Sequence, residues 1–179
     1  MVQVFQSAEE SIFDMEDGAS VMLGGFGICG TVEGLIDAVL ERNVRDLTVI
    51  SNGAGLDDWF LGKWISNRQV SKMVCSRIAA NKVLERQYLD NEVEVEVAPQ
   101  GTCSERIRAA GVGIGGFYTR TGVGTIVAEG KETKSIGGET YVLEAPLPTD
   151  FAFVKAWKGD TAGNLIYRMT AQNFNHVMA

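Results

Sequence analysis

One histidine, three cysteines and three prolines are all that 179 residues contain of these types. The cysteines, Cys29, Cys75 and Cys103, are odd in number and widely spaced, with no C-x-x-C pair. That excludes a disulfide scaffold and argues against a metal centre, because a lone histidine, His176, cannot complete a ligand set with thiols so scattered. Reduced thiols are expected, with Cys29 set apart by its place in a glycine turn. No apolar run reaches the roughly 18 residues that cross a bilayer, so no membrane partner is expected. Glu9 and Glu10 stand where a secretory signal would carry basic residues, and the cytoplasm is the expected compartment. Positive charge is short as well. Sixteen Lys and Arg against 23 Asp and Glu leave a net charge of −7, which speaks against a nucleic-acid partner. There is no G-K-[ST], so no nucleotide-hydrolysing P-loop.

Glycine is what the chain has. After the apolar Val21-Met22-Leu23 come Gly24, Gly25, Phe26, Gly27, Ile28, Cys29 and Gly30, and then a helical pattern. A strand that breaks into glycines before a helix offers free backbone N–H groups and a positive helix end, both suited to an anion or a developing oxyanion. From Gly25 the turn reads G-x-G-x-x-G, formally a dinucleotide fingerprint. The acid that should follow about 20 residues on falls near Asp46, which precedes a strand where it should end one. A dinucleotide-binding oxidoreductase domain is therefore one alternative, and a non-catalytic acyl-CoA-binding module is another.

Along the chain, strand and helix patterns alternate. Helices are expected at Phe5–Phe13, Val32–Arg42 (ended by Asn43), Trp59–Ile65, Ala79–Leu89 and Cys103–Ala110. In the last, Thr102 is the expected cap and Glu105 the partner of a capping box. Strands are expected at Val21–Leu23, Leu47–Ile50, Val70–Cys75 and Val93–Val97. About four β-turn-α units imply an α/β fold with an open, mostly parallel sheet flanked by helices. Ligands of such sheets sit at the carboxyl ends of the strands. The turns Gly24–Gly30, Ser51–Gly55 and Pro99–Gly101 fall at three of those ends and can converge. The last third is β-rich. It has a glycine-rich loop over Gly111–Gly124, strands at Thr125–Ala128, Thr140–Leu143, Phe151–Trp157 and Leu165–Tyr167, and a hairpin turn at Gly159–Asn164. Residues 1–179 read as one domain. Asn52 and Gln100 are uncharged polar residues at strand ends, able to bind a carboxylate or carbonyl. Arg77, Arg86, Arg106, Arg108 and Arg120 are candidates to anchor a phosphate. The Glu92, Glu94, Glu96 row reads as a solvated strand face, Trp59, Trp64 and Trp157 as core or interface, and His176 as a tail residue.

The string Asp17-Gly18-x-x-Val21-Met22-Leu23-Gly24-Gly25-Phe26-x-x-x-Gly30 resembles the first signature of the family I coenzyme A transferases. Further blocks agree in order along the chain: Ser51-Asn52-x-Ala54-Gly55, Glu85-Arg86-Gln87-Tyr88-Leu89, Pro99-Gln100-Gly101-Thr102, Phe117-Tyr118-Thr119, Lys155-Ala156-Trp157-Lys158, Gly163-Asn164 and Asn173-Phe174-Asn175. The likeness is strongest to the A subunits of the 3-oxoacid enzymes, with those acting on acetate/acetoacetate or 3-oxoadipate near relatives. The resemblance implies ping-pong transfer of CoA, from an acyl-CoA such as succinyl-CoA to a short-chain carboxylate or 3-oxoacid such as acetoacetate. CoA is then a substrate, with no permanently bound cofactor. The nucleophilic glutamate would lie in a Ser-Glu-Asn-Gly motif of a separate B subunit, a motif this chain lacks. Its nearest string, Cys103-Ser104-Glu105-Arg106, falls on a predicted helix. The resemblance further implies no catalytic residue here, inactivity without the B subunit, and an α2β2 assembly. It maps the CoA-associated segment to Gly24–Gly30 and the substrate-carboxylate contacts to Asn52 and Gln100. Three departures stand out. Val32 replaces the family's usual proline, Gly53 stands where Asn is frequent, and the chain stops at Ala179, some tens of residues early. A shortened C-terminus would expose a sheet edge or part of the interface with the B subunit.

Overall fold

The computed structural model describes residues 3–78 and 80–179. Four parallel strands build its centre: β1 (Ser20–Leu23), β2 (Leu47–Ser51), β3 (Val70–Cys75) and β4 (Glu94–Val97). They pair in the order β4-β3-β2-β1, and α2 (Glu33–Arg42), α3 (Leu61–Ser66) and α4 (Lys82–Leu89) lie in the connections between them. Parallel neighbours require such crossovers. Asn43 ends α2 in the left-handed conformation at φ 56°, and Val32 precedes it as a buried core residue.

The side-chain period of two sorts the strands between two cores. Val21 and Leu23, Leu47 and Val49, Met73 and Cys75 face one layer with Ile36 and Val39 of α2, Trp64 and Ile65 of α3, and Leu84 of α4. Met22, Ile50 and Val74 face the other layer. There they meet Cys103 and Ile107 of α5 (Gln100–Gly111), and Met178 of α6 (Asn175–Met178). Trp64 is fully buried, and its indole N–H donates to the Ile36 carbonyl at 2.8 Å.

The last third departs from its expectation in an informative way. Residues Phe117–Thr119 (β5), Thr133–Ile136 (β6) and Glu139–Glu144 (β7) form a separate antiparallel sheet in the order β5-β7-β6. Strand β6 is absent from the sequence reading, although Gly137-Gly138, both at positive φ, is a hairpin signal. The expected strand Thr125–Ala128 is a short 3₁₀ turn, because Thr125 bonds locally and caps it. The strand begun at Phe151 stops at Phe153 (β8) and joins the main sheet, parallel to β1. The predicted hairpin at Gly159–Asn164 forms between β9 (Lys158–Gly159) and β10 (Leu165–Ile166), with Asp160 accepting the Ala162 and Asn164 N–H groups.

Helix starts shift too. The expected helix over Phe5–Phe13 is a single turn, α1 (Ala8–Ser11), capped by Ser7. Ala79 lies outside the described residues, and α4 starts at Lys82 with Asn81 as its cap. Helix α5 begins three residues before the expected Cys103. Pro99 takes the cap position, so Thr102 lies inside the helix and Glu105 bonds Arg108 instead of closing a capping box. The Glu row is paired as well as solvated: Glu92 with Arg68, Glu94 with Lys72, Glu96 with Arg106. These pairs put charge along the edge strand β4, where it discourages further strand pairing.

Candidate functional site

A cleft of about 350 Å³ opens at the carboxyl ends of β1, β2 and β3, a volume typical of small-molecule sites. The turn after β1 supplies Gly24–Ile28, the turn after β2 supplies Ser51–Leu56, and the start of α5 supplies Gln100. The three turns singled out in the sequence thus share one cavity. Ser76 and Arg77, at the end of β3, complete it.

The early start of α5 is what aims Gln100. At the first helical position its amide Nε2 donates to Asn52 Oδ1 at 2.6 Å. Ser76 Oγ donates to the Asn52 carbonyl at 2.7 Å and lies 3.2 Å from the same Oδ1. Since the single Ser76 hydroxyl proton goes to the carbonyl, the Gln100 donor on Oδ1 fixes the orientation of the Asn52 amide. Its NH₂ group and the Gln100 carbonyl have no partner among the described residues. Asn52 itself is buried, so the pair offers a preorganised donor and acceptor beside the cleft. Ser76 was not singled out in the sequence; serine after a strand carries no signal until its neighbours are known.

The glycine turn divides into two kinds of position. Gly25 and Gly27 have φ of +121° and +60°, where a side chain is strained, and a Cβ at Gly27 would meet nothing within 4 Å. Gly24, and Gly30 in addition to its own φ of +71°, are crowded by the chain itself. A Cβ on Gly24 would fall 2.0 Å from Asn175 Oδ1, and one on Gly30 would fall 2.7 Å from the Ala171 carbonyl. Asn175 is fully buried. Its Nδ2 donates to the Gly30 and Ala171 carbonyls, both at 2.9 Å, and its Oδ1 accepts the Lys155 N–H at 2.7 Å. The Asn173-Phe174-Asn175 block is thus a strap across the glycine turn. Phe26 and Cys29 exchange both N–H···O=C bonds at 3.0 Å, which closes the tip of the turn.

Cys29 is half-buried, with Sγ 3.5 Å from Thr170 Oγ1, and it is not on the cleft lining. Cys75 and Cys103 are buried, and loss of hydration pushes both thiols up to about 11. Glu105 is exposed on α5 and ion-paired with Arg108, away from the cleft. Of the phosphate candidates only Arg77 lines the cleft. Arg106, Arg108 and Arg120 are each paired with a glutamate. Trp64 is core, while Trp59 and Trp157 are exposed. Among the described residues no helix is long and apolar enough to cross a membrane.

An open parallel sheet with a glycine-walled cleft at its strand ends defines an α/β protein of the kind whose ligands sit against strand-end turns. The chain belongs to the coenzyme A transferase family, whose model matches residues 5–179. It is 54% identical over its whole length to the A subunit of a probable succinyl-CoA:3-ketoacid coenzyme A transferase of Bacillus subtilis, and covers 75% of that protein. The corresponding A subunit of Helicobacter pylori strain J99 is 42% identical, again over the whole chain and 77% of the relative. The human mitochondrial succinyl-CoA:3-ketoacid coenzyme A transferase 2 is 45% identical over 93% of the chain, which spans only 36% of it. Among solved structures, an acyl-CoA transferase from Escherichia coli O157:H7, crystallised as a thioester complex with CoA, superposes with a TM-score of 0.81 at 21% identity. That match covers 90% of this chain and 36% of the other. Glutaconate coenzyme A-transferase of Acidaminococcus fermentans gives 0.75 at 16%, over 97% and 62%. At these identities the likeness is one of fold.

Proposed function

We propose that this chain is the A subunit of a CoA-transferase that converts succinyl-CoA and acetoacetate into succinate and acetoacetyl-CoA. The observation that carries the reading is the meeting of the Gly24–Gly30 turn, Asn52 and Gln100 in one cleft, in a chain matched along its length by A subunits of that named activity.

By the chain's resemblance to the family I enzymes, the reaction runs through a glutamate in a Ser-Glu-Asn-Gly motif of a B subunit. Its carboxylate attacks the thioester carbonyl and expels CoA thiolate, leaving an acyl-glutamyl anhydride. The thiolate then attacks the glutamyl carbonyl and releases succinate. The glutamyl-CoA thioester passes its CoA to acetoacetate by the reverse sequence. This chain contributes positioning and exclusion of water. The Asn52 amide and Gln100 hold the acid's carboxyl, which restricts its approach to one geometry. Of the turn Gly24–Gly30, residues Gly24, Gly25, Phe26, Gly27 and Ile28 form the wall for the CoA thioester, with Gly27 open to close approach, while Cys29 and Gly30 lie off the lining and Gly24 and Gly30 are reserved for the Asn175 strap. Residues such as Leu23, Ile36, Phe60 and Leu61 line the cleft with apolar surface and keep water from a hydrolysable anhydride.

Residues 1–179 act here as one unit in an α2β2 enzyme of the cytoplasm, with CoA entering and leaving as substrate. The test is reconstitution with the cognate B subunit, followed by assay of acetoacetyl-CoA formation from succinyl-CoA. Activity that requires both components supports the reading. No CoA transfer to any short-chain acid refutes it.

A further inference from the structure

Among the described residues, Arg77 is the single charged one on the cleft lining. No carboxylate among them lies within ion-pair distance of its guanidinium, whereas Arg68, Arg106, Arg108 and Arg120 each hold one. An arginine without a carboxylate partner on the lining of the cleft, in a chain with net charge −7, is a local reversal of sign. Its place is also well fixed. Arg77 follows Ser76, whose N–H and Oγ both bond the Asn52 carbonyl, at 3.1 and 2.7 Å. The backbone of Arg77 is thereby held one residue from the Asn52–Gln100 pair. Beside it stands Gly53, where a Cβ would lie 3.6 Å from the Arg77 carbonyl. That is ordinary contact at a normal φ, so nothing in the backbone demands glycine here. Its effect is to leave open the space beside Arg77 that a longer side chain would fill.

We infer that Arg77 binds the carboxylate of a dicarboxylic acyl group remote from the thioester, while Asn52 and Gln100 hold the carboxyl that reacts. The inference rests on the transferase reading and deepens it, because it gives this chain the selection of a dicarboxylic acyl donor. A guanidinium is suited to the task. It stays charged, and its planar fork matches a carboxylate through two parallel N–H donors. A monocarboxylic acyl group of similar length has nothing to offer Arg77. The phosphates of CoA are the other anions within the reaction, but every acyl-CoA carries them, so they would give no selectivity.

The test uses the enzyme reconstituted with its B subunit, and acetoacetate as common acceptor. The readout is the ratio of kcat/KM for succinyl-CoA to that for butyryl-CoA, in the wild type, Arg77→Gln and Arg77→Lys. Arg77 is exposed, so both variants should fold. The ratio is expected to fall about 10- to 100-fold in Arg77→Gln, the range for one charge-assisted contact, and to recover in part in Arg77→Lys. Inhibition constants for free succinate against butyrate give the same ratio if a donor turns over too slowly. An unchanged ratio overturns the inference. A fall in kcat/KM common to both donors leaves the ratio unchanged, and assigns Arg77 to a group that both share, such as the CoA phosphates. If the wild-type complex transfers no CoA from either donor, the transferase reading itself falls and takes the inference with it.

Discussion

Gly24→Ala probes whether the C-terminal strap or a ligand requires glycine in the first turn. Gly24 has no positive φ, so alanine is compatible with its backbone and the whole cost is steric. The new Cβ would lie 2.0 Å from Asn175 Oδ1 and 2.7 Å from its Cγ. The Asn175 side chain must leave. It then gives up its bonds to the Gly30 carbonyl, the Ala171 carbonyl and the Lys155 N–H. At about 1 kcal/mol net for each of these bonds the loss is about 3 kcal/mol. For a chain of this size that is a fall in Tm of roughly 6–12 °C. Gly27→Ala is the control. It meets nothing, so only left-handed strain of about 1–2 kcal/mol applies. Thermal and urea unfolding of the two variants compares them directly, and limited proteolysis reads release of the segment after Tyr167. A double-mutant cycle makes the argument specific. In an Asn175→Ala background the clashing atoms are gone, and adding Gly24→Ala should cost under about 1 kcal/mol. A Gly24→Ala variant as stable as wild type, or one whose cost is the same with and without Asn175, would refute the reasoning.

Three further outcomes follow from the same contacts. Gln100→Ala in the reconstituted enzyme should raise KM for the acid substrate about 10-fold with a smaller change in kcat, the size of one lost polar contact; unchanged kinetics would remove Gln100 from the site. Glu144 is buried between Lys131 (2.7 Å) and Arg106 (3.8 Å); Arg106 keeps Glu96 when it is lost, so Glu144→Ala should cost about 1–2 kcal/mol in urea unfolding, mainly from the Lys131 bond, and a loss under about 0.5 kcal/mol would contradict the pairing. Burial holds Cys75 and Cys103 protonated up to about 11, against an ordinary 9.0. The unfolded chain loses those protons first, so stability is full below pH 9 and declines as pH rises through 9 to 11. At pH 8 an alkylating agent should label Cys29 alone in the folded protein; labelling of all three at one rate would show the buried thiols to be accessible.

How far the site was legible can be traced residue by residue. The glycine turn, Asn52 and Gln100 were readable because each lies where an apolar run breaks, and a parallel sheet brings such breaks to one edge. Gln100 was expected in a turn before the helix, yet it is the first helical residue, because Pro99 takes the cap position that Thr102 was assigned. Ser76 was missed, since its role comes from Asn52 on the neighbouring strand. Strand β8 was expected in the β-rich end of the chain, but it pairs with β1, more than a hundred residues earlier. An apolar segment such as Phe151–Phe153 carries no record of which edge it will join.

By itself, then, the sequence determined what depends on neighbours along the chain. That covers the alternation of strands and helices, the two-faced patterning that sets a sheet between two helical layers, and the turns that punctuate it. Tertiary structure decided what depends on distant partners. Asn175 packs against Gly30 across 145 residues of chain, and its side chain is what bars a Cβ at Gly24, whose own backbone would accept one. The same folding leaves Arg77 as the one charge, among the described residues, in a cleft built from three separate turns. Period and propensity act over a few residues, whereas packing and charge act through space, and a cleft is made of the second kind.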